Sequence, residues 1–188
     1  MNRLFFSIIS LIISLSASSQ IVRQNEEFKT ITVINNKVAF IKEVAVDQHQ
    51  TNKNYNILKE WARENYGKDP FISSVRYDNR KHKIIAKSRI ELILPEDSRG
   101  VREKMVMRFR VNGYLIDDKC VLEIIDLSFL CENAKDSTLP RVIRAEEFIT
   151  DEKVATEDNL KELRVNTRKS TLYFLNSLGK EFEGLFDL

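Results

Sequence analysis

Residues 73–131 carry four strand-like runs in succession, and this stretch limits the possible folds more than any other feature of the chain. The runs are Ser73–Asp78, 83–94, 104–116 and 120–131. Each run is rich in β-branched or aromatic residues and is bounded by Asn, Asp, Pro or Gly, which is typical of strands joined by turns. Connections this short make neighbouring strands antiparallel, because a parallel partner needs a crossover of about a dozen residues.

Apolar and polar side chains alternate within these runs, and this alternation assigns the two faces of the sheet. In the second run the apolar set is Ile84, Ala86, Ser88, Ile90, Leu92 and Leu94, opposite Lys87, Arg89 and Glu91. In the third run it is Met105, Met107, Phe109 and Val111, opposite Val106, Arg108, Arg110 and Asn112. In the fourth run it is Ile125, Leu127 and Phe129, opposite Asp126 and Ser128. One face therefore needs a cover of helices, and the other is largely polar.

Residues 1–19 have the pattern of a secretory signal peptide. Arg3 supplies the positive start, residues 4–15 form the apolar core, and Ala17 and Ser19 are the small residues before a cleavage site at Gln20. A twelve-residue core is shorter than the ~20 residues needed to span a bilayer, so an uncleaved anchor is the minor alternative. The pattern predicts export to the periplasm or beyond, with membrane contact only through this segment before cleavage.

The remaining elements are predicted from turn, cap and periodicity signals. Residues 20–30 are polar and expected to be loosely ordered, and Asn35 with Asn36 predicts a tight hairpin between strands at 31–34 and 37–46. A helix is expected over 52–66, with Thr51 as N-cap and Gly67 after its end. Tyr55, Leu58, Trp61 and Ala62 on that helix would cover the sheet. A last helix is expected over 151–178.

These expectations define the domain organisation. We predict a signal peptide at 1–19, a loose segment at 20–30, an α+β domain at 31–135 and a C-terminal helical extension at 136–188. The element order is β-α-β-β-β-β-α, with a curved antiparallel sheet and helices on one face.

Several stretches resemble an exported bacterial family of unknown function that has a TATA-binding-protein-like fold. The matching segments are VAFIKEV at 38–44, residues 55–62, VRYD at 75–78, KIIAK at 83–87, MRFRV at 107–111 and LEIIDL at 122–127. The resemblance covers about residues 38–131. It implies a curved antiparallel sheet with helices on its convex face, and it brings no catalytic residues.

Recognised catalytic and metal-binding motifs are missing from the sequence. There is no Gly-rich phosphate loop, GxSxG, HExxH or CxxC pattern, so no cofactor or metal is expected. His49 and His82 are expected on separate loops, and Ser88 and Ser98 are candidate nucleophiles only in the sense that any serine is. Glu91, Glu123 and Asp126 could act as paired carboxylates or could form cross-strand ion pairs. Cys120 and Cys131 should be free thiols, because eleven residues of one strand separate them by ~36 Å.

The uneven distribution of charge points to the polar face. Residues 74–112 hold 11 Lys/Arg and 5 Asp/Glu, whereas residues 113–188 hold 10 and 16. The two parts could neutralise each other in the fold. Alternatively, the face could bind an anionic ligand or partner, because Arg matches carboxylate and phosphate geometry. The candidate binding residues are Arg76, Lys87, Arg89, Arg108 and Arg110.

The sequence therefore predicts an exported, non-enzymatic binding or assembly module of the cell envelope, acting on an unknown envelope protein or anionic ligand. A hydrolase with an unrecognised site and a purely structural domain remain open as alternatives. Nucleic acid is not an expected partner, because export removes the chain from chromosomal DNA and fold alone does not imply function.

Overall fold

The structure is a computed structural model that describes residues 21–130 and 142–186. The strands are β1 (Ile21–Val22), β2 (Val33–Ile34), β3 (Lys37–Val38), β4 (Phe40–Ala45), β5 (Ser73–Asp78), β6 (Lys83–Glu96), β7 (Arg102–Ile116), β8 (Lys119–Leu130) and β9 (Val142–Arg144). The helices are α1 (Thr51–Tyr66), α2 (Asp151–Ala155) and α3 (Lys161–Gly184). Seven strands form one sheet, and six of them follow the order β1-β4-β8-β7-β6-β5. The seventh, β9, pairs with the last residues of β8, beyond the part of β8 that pairs with β4. The remaining two, β2 and β3, form a separate hairpin.

The predicted α+β class and antiparallel sheet are confirmed. Every pairing in the sheet is antiparallel except that of β1 with β4. The four predicted strands are present as β5 to β8, and β5 has the predicted bounds. They are long because each alternates with period two over most of its length, so one face stays apolar from end to end.

Both long helices pack on the apolar face of the sheet, which we call the inner face. Leu58, Trp61 and Ala62 of α1 are buried there, as predicted. Gly113 allows α1 to approach closely, because a Cβ at this position would lie 2.9 Å from Ile84 Cγ1 and 3.0 Å from Leu58 Cδ1. The helix α3 is placed by a ring contact between Phe174 and Phe109, with centroids 5.5 Å apart. The opposite side, the outer face, has no helix across it in the part of the chain that the structure describes.

A β-bulge in β8 corrects one predicted face. Arg108 pairs with Ser128 and Arg110 pairs with Ile125, so β8 has one extra residue between these pairs. Asp126 takes the strained position with φ +55°, which Asp tolerates better than most residues. The extra residue shifts the alternation, so Ile124 is buried on the inner face and Ile125 lies on the outer face, contrary to the prediction.

The N-terminal segment is held more firmly than the sequence predicted. Phe28 is only 4% exposed. Its backbone exchanges two hydrogen bonds with the Asn176 amide of α3, at 2.7 and 3.0 Å. The Asn25 N–H donates to Glu183 Oε1 at 2.6 Å. The expectation of a loose segment is therefore wrong for residues 23–30, because an apolar side chain and helix polar groups fix it.

The hairpin at Asn35 and Asn36 is confirmed, with φ of +50° and +61°. The single strand predicted over 37–46 is wrong. It divides at Ala39, whose N–H donates to the Thr32 carbonyl at 3.0 Å, and β3 and β4 then join different sheets. The two parts separate because the short hairpin turns away before β4 pairs with β8.

The predicted helices differ from the structure in three details. Thr51 is the first residue of α1, because Asp47 caps a preceding 3-10 turn by accepting the His49 N–H at 2.9 Å. Gly67 follows α1 as predicted, but its φ is −101°, so close contact with the Arg63 carbonyl explains it. The single helix predicted over 151–178 is two helices, α2 and α3. The break is stabilised by Arg164, whose guanidinium contacts Asp158 at 2.8 Å and the Thr156 carbonyl at 2.7 Å.

A buried ion pair joins β4 to the end of α3. Lys42 is 2% exposed, and its Nζ lies 2.5 Å from Glu183 Oε1. The same ammonium donates to the Glu26 carbonyl at 2.6 Å. Within the described residues, no helix has the length and apolar composition to cross a membrane.

Candidate functional site

Four of the five predicted cations come together on the outer face. Lys87 on β6 lies directly opposite Arg110 on β7, and Arg89 lies directly opposite Arg108. Directly opposed residues on one face have Cβ atoms about 5 Å apart, and alternate residues on a strand are about 7 Å apart. Lys87, Arg89, Arg108 and Arg110 therefore form a compact grid, which we call the basic face.

Arg76 lies outside this grid. It pairs with Ile85, one cross-strand row away from the Lys87–Arg110 pair, and it is exposed. The outer-face residue of β5 next to Lys87 is Ser74, which is neutral and leaves the charge of Lys87 uncompensated. Arg76 therefore adds positive potential at the margin of the basic face.

Among the described residues, one carboxylate, that of Asp126, contacts the basic face. Asp126 Oδ2 lies 3.0 Å from Arg110 Nη2, and the other oxygen of the same carboxylate lies 3.5 Å from Lys37 Nζ. The bulge makes this contact, because it turns Asp126 towards the cations. Within residues 21–130 and 142–186, Lys87, Arg89 and Arg108 form no ion pair.

The other acidic groups proposed as counter-charges are engaged elsewhere. Glu91 pairs with Lys104 at 2.7 Å. The Glu162 carboxylate of α3 accepts hydrogen bonds from Ser98, and Asp158 contacts Arg164. Glu162 at the start of α3 and Asp158 in the connection between α2 and α3 are held by these contacts and do not pair with the basic face. Among the described residues, the acidic part of the chain, 113–188, therefore neutralises one cation of the basic face, Arg110.

The guanidinium of Arg110 has unused hydrogen-bonding capacity. Its Nε atom is buried and has no hydrogen-bond partner among the described residues. An unpaired donor at such a position costs about 1–3 kcal/mol unless water or a ligand accepts from it. The donor therefore favours an acceptor in the groove above β7.

A shallow groove of about 430 Å³ lies over the basic face. All four cations and Asp126 contribute to it, and the segment 70–74 forms one side. Phe71 is 87% exposed and Ile72 is 46% exposed, an unusual pair of apolar side chains to leave in water. Their positions are fixed, because Asp69 Oδ1 accepts the Phe71 N–H at 2.9 Å and the Ile72 carbonyl accepts the Arg89 N–H at 3.2 Å.

The candidate catalytic residues are not assembled into a site. Glu91 pairs with Lys104, Glu123 accepts from the Asn112 amide at 2.5 Å, and Asp126 is held by Arg110. These contacts agree with the alternative of cross-strand pairs. Ser88 belongs to the inner-face set of β6, and Ser98 is bound to Glu162. The described residues contain no group of three or more His, Cys, Asp or Glu side chains that could hold a metal ion.

A second cavity of about 330 Å³ lies near the start of α1. Asp47 and Asp118 contribute to it. Hydrogen bonds from the Gln50 amide and the His49 N–H hold the pKa of Asp47 below its usual range, so this carboxyl remains ionised. His49 is exposed, whereas His82 packs edge-on against Tyr55 with ring centroids 5.1 Å apart. A carboxyl whose pKa is lowered is poorly suited to act as a proton donor near neutral pH.

Cys120 is a buried, free thiol on the inner face. Burial raises its pKa well above the usual range, which makes it a poor nucleophile. Cys131 lies outside the described residues, so the predicted free state of both thiols stays a prediction.

Comparison with known proteins then tests the fold. Residues 40–130 match the family described as "Domain of unknown function (DUF4468) with TBP-like fold". Over these residues the chain is similar to that family. The match spans β4 to β8 and includes all four residues of the basic face. It confirms the predicted resemblance to a family of unknown function with this fold, whereas export stays a prediction.

Two crystal structures have a similar fold. One is a TBP-like protein from Parabacteroides distasonis, with 23% identity and a TM-score of 0.67, covering 82% of this chain and 94% of the other. The second is a DUF4468 family protein from Bacteroides ovatus, with 17% identity and a TM-score of 0.65, covering 84% and 91%. Identity this low supports the fold alone. No curated protein matches the sequence.

Proposed function

We propose that the chain is an exported, non-enzymatic binding or assembly module of the bacterial cell envelope, and that its basic face binds an anionic ligand or partner. The observation that carries this proposal is the charge imbalance of the groove. Four cations occupy neighbouring positions, and Asp126 is their one carboxylate partner among the described residues. Like charges directly opposed on a sheet destabilise it, so an external anion would relieve a cost present in the free protein.

The location in the envelope rests on the first 19 residues. Their charged start, apolar core and small residues at the cleavage site are the features that secretory signal peptides share. The buried, free Cys120 suits either side of the membrane, so it does not bear on export. A binding role suits the groove better than a hydrolytic one, because its shape is shallow and each carboxylate considered for catalysis is held by a neighbour.

Anion binding can be tested with two simple polymers, poly-L-glutamate and inorganic polyphosphate. Binding to immobilised chain from Gln20 onward would be measured at several NaCl concentrations. We expect the double variant Arg89→Ser, Arg108→Ser to lose most binding, because it removes two exposed cations that form no ion pair within the part of the chain that the structure describes. Binding to the unmodified chain should weaken as salt rises, because salt screens exposed charges.

The matched control is Arg80→Ser with Lys81→Ser, which removes two exposed cations from the turn between β5 and β6. It has the same net charge as the test variant. It should retain binding within about twofold, because salt screens exposed charges that lie outside the groove. Equal losses in both variants would mean that net charge alone attracts the polymers, and the proposal would then be wrong.

A further inference from the structure

We propose that the groove binds an extended, acidic segment of a partner protein, with two carboxylates separated by one residue and an apolar side chain next to them. This inference rests on the proposed anion-binding function and names the class of ligand. It is drawn from the spacing of the cations, the contact already made by Asp126 and the exposure of Phe71.

The spacing of the cations matches the repeat of an extended peptide. The Lys87–Arg110 pair and the Arg89–Arg108 pair are two residues apart on each strand, or about 7 Å. Alternate side chains of an extended peptide point the same way with the same spacing. A segment lying along β6 and β7 could therefore place one carboxylate over each pair of cations. Adjacent acidic residues could not, because their side chains would point in opposite directions.

Asp126 shows how a carboxylate fits this face. Its two oxygens contact Arg110 at 3.0 Å and Lys37 at 3.5 Å, so one carboxylate bridges two cations. The pair of Arg89 and Arg108 has no such group among the described residues. The first carboxylate of a ligand would bridge this open pair, and the second would share Lys87 and Arg110 with Asp126.

The apolar part of the ligand is assigned by Phe71. This side chain is 87% exposed and lines the same groove as the cations. Its partner Ile72 lies beside Arg89, because the Ile72 carbonyl accepts the Arg89 N–H. An apolar side chain of the ligand, next to its first carboxylate, would cover Phe71 and Ile72 and remove these two side chains from water. Aromatic anchors next to charged groups are common where proteins bind peptides tightly.

A peptide explains the site better than a phosphate or a lipid surface. Phosphate sites commonly use free backbone N–H groups at helix starts or turns. The central strands β6 and β7 use theirs in the sheet ladders, which leaves only side-chain donors. A membrane surface would need apolar side chains raised above the cations, whereas Phe71 shares the groove with them.

The test is the binding of labelled peptides of identical composition to the chain from Gln20 onward, measured by fluorescence anisotropy. The first peptide has a Phe-Val-Glu-Thr-Glu core, and its isomer has Phe-Val-Thr-Glu-Glu. We expect the isomer to bind at least about fivefold more weakly, because one of its carboxylates cannot face the cations. The Phe71→Ser variant should bind the first peptide about threefold more weakly. Arg89→Ser with Arg108→Ser should lose at least about tenfold, and Arg80→Ser with Lys81→Ser should change little.

The same series separates the two proposals. Equal binding of both isomers would overturn the inference, as would tighter binding of polyphosphate or of vesicles containing phosphatidylglycerol. In each of these cases, a loss of binding in the Arg89 and Arg108 double variant would leave the proposed anion-binding function standing. If that double variant binds every probe as tightly as the unmodified chain does, both proposals fail.

Discussion

Arg89 and Arg108 are opposed across two neighbouring strands, and neither has an acidic partner in the described part of the chain. A pair of like charges at directly opposed positions reduces the stability of a sheet. Their side chains are exposed, so packing does not require them. A sequence optimised only for folding would place opposite charges here.

The first prediction concerns Arg108→Glu. It should raise the free energy of unfolding by about 0.5–1 kcal/mol, because a repulsive pair becomes an attractive one. The same change should weaken anion binding. Urea unfolding followed by Trp61 fluorescence measures the first effect. Lys169→Glu, an exposed position on α3, is the control and should shift stability by less than about 0.5 kcal/mol. A destabilised Arg108→Glu variant would argue that Arg108 has a structural partner.

Lys42 and Glu183 give the second prediction. The variant Lys42→Met should lose about 3 kcal/mol of stability, because it leaves the Glu183 carboxylate buried without its cation. The double variant Lys42→Met, Glu183→Gln should recover at least half, because the amide is neutral and its oxygen still accepts the Asn25 N–H. Thermal unfolding at matched pH measures both. A loss below about 1 kcal/mol in the single variant would indicate that water reaches the pair.

The bulge in β8 is the element that shapes the site. It brings the Asp126 carboxylate to Arg110 and reverses the alternation of the strand beyond it. Because Asp126 has φ +55°, its replacement tests backbone and charge separately.

Asp126→Gly should raise the affinity for poly-L-glutamate by about threefold and leave the fold intact, because it frees Arg110 and suits a positive φ. Asp126→Asn should raise affinity similarly, since Asn tolerates this conformation. Asp126→Ala should also free Arg110 but should cost at least about 1 kcal/mol of stability through backbone strain. Affinity is measured by biolayer interferometry and stability by urea titration. An unchanged affinity in all three would show that Asp126 does not compete with the ligand.

The sequence predicted the sheet and the grid because both follow from period-two alternation. Lys87, Arg89, Arg108 and Arg110 could be placed on one face as soon as two strands were assumed to be antiparallel. The bulge could not be predicted, because Asp126 interrupts the alternation through its backbone conformation. Because of the bulge, the alternation assigned Ile125 to the inner face, whereas the structure places it on the outer face.

Two other features could be predicted to different degrees. Alternation along β4 puts residue 42 on the same face as Phe40 and Val44, so a buried Lys42 was signalled by the pattern. Its partner Glu183 lies 141 residues away in the chain, and no local pattern connects them. Phe71 gave no signal at all. An aromatic residue before a strand is more often buried, and only the turn at Asp69 leaves this one exposed.

At the scale of the whole molecule, the two faces of the sheet have different roles. The inner face holds α1, α3 and the N-terminal segment, which is fixed by Asn176 and Glu183. The outer face carries unpaired charge and an exposed aromatic ring. Mutations on the outer face should therefore change binding with little effect on folding, and those on the inner face should do the reverse.

Processing is the fourth prediction. The exported protein should begin at Gln20, because Ala17 and Ser19 provide the small residues that the signal peptidase requires. The variant Ala17→Leu, Ser19→Leu should accumulate as precursor, whereas Ser18→Leu should be processed normally. Intact mass spectrometry of protein from a native host distinguishes these forms. Protein recovered outside the cytoplasm with Met1 and an intact apolar core would contradict the predicted cleavage before Gln20.

Binding of an acidic ligand to the basic face can be mapped residue by residue from backbone amide shifts in NMR spectra. The chain from Gln20 onward, labelled with nitrogen-15, would be titrated with the Phe-Val-Glu-Thr-Glu peptide. The account predicts that the largest shift changes fall at Phe71, Ile72, Lys87, Arg89, Arg108 and Arg110. The amides of α1 and α3 should stay nearly unchanged. Shift changes concentrated on the helices, or spread evenly over the surface, would contradict the account.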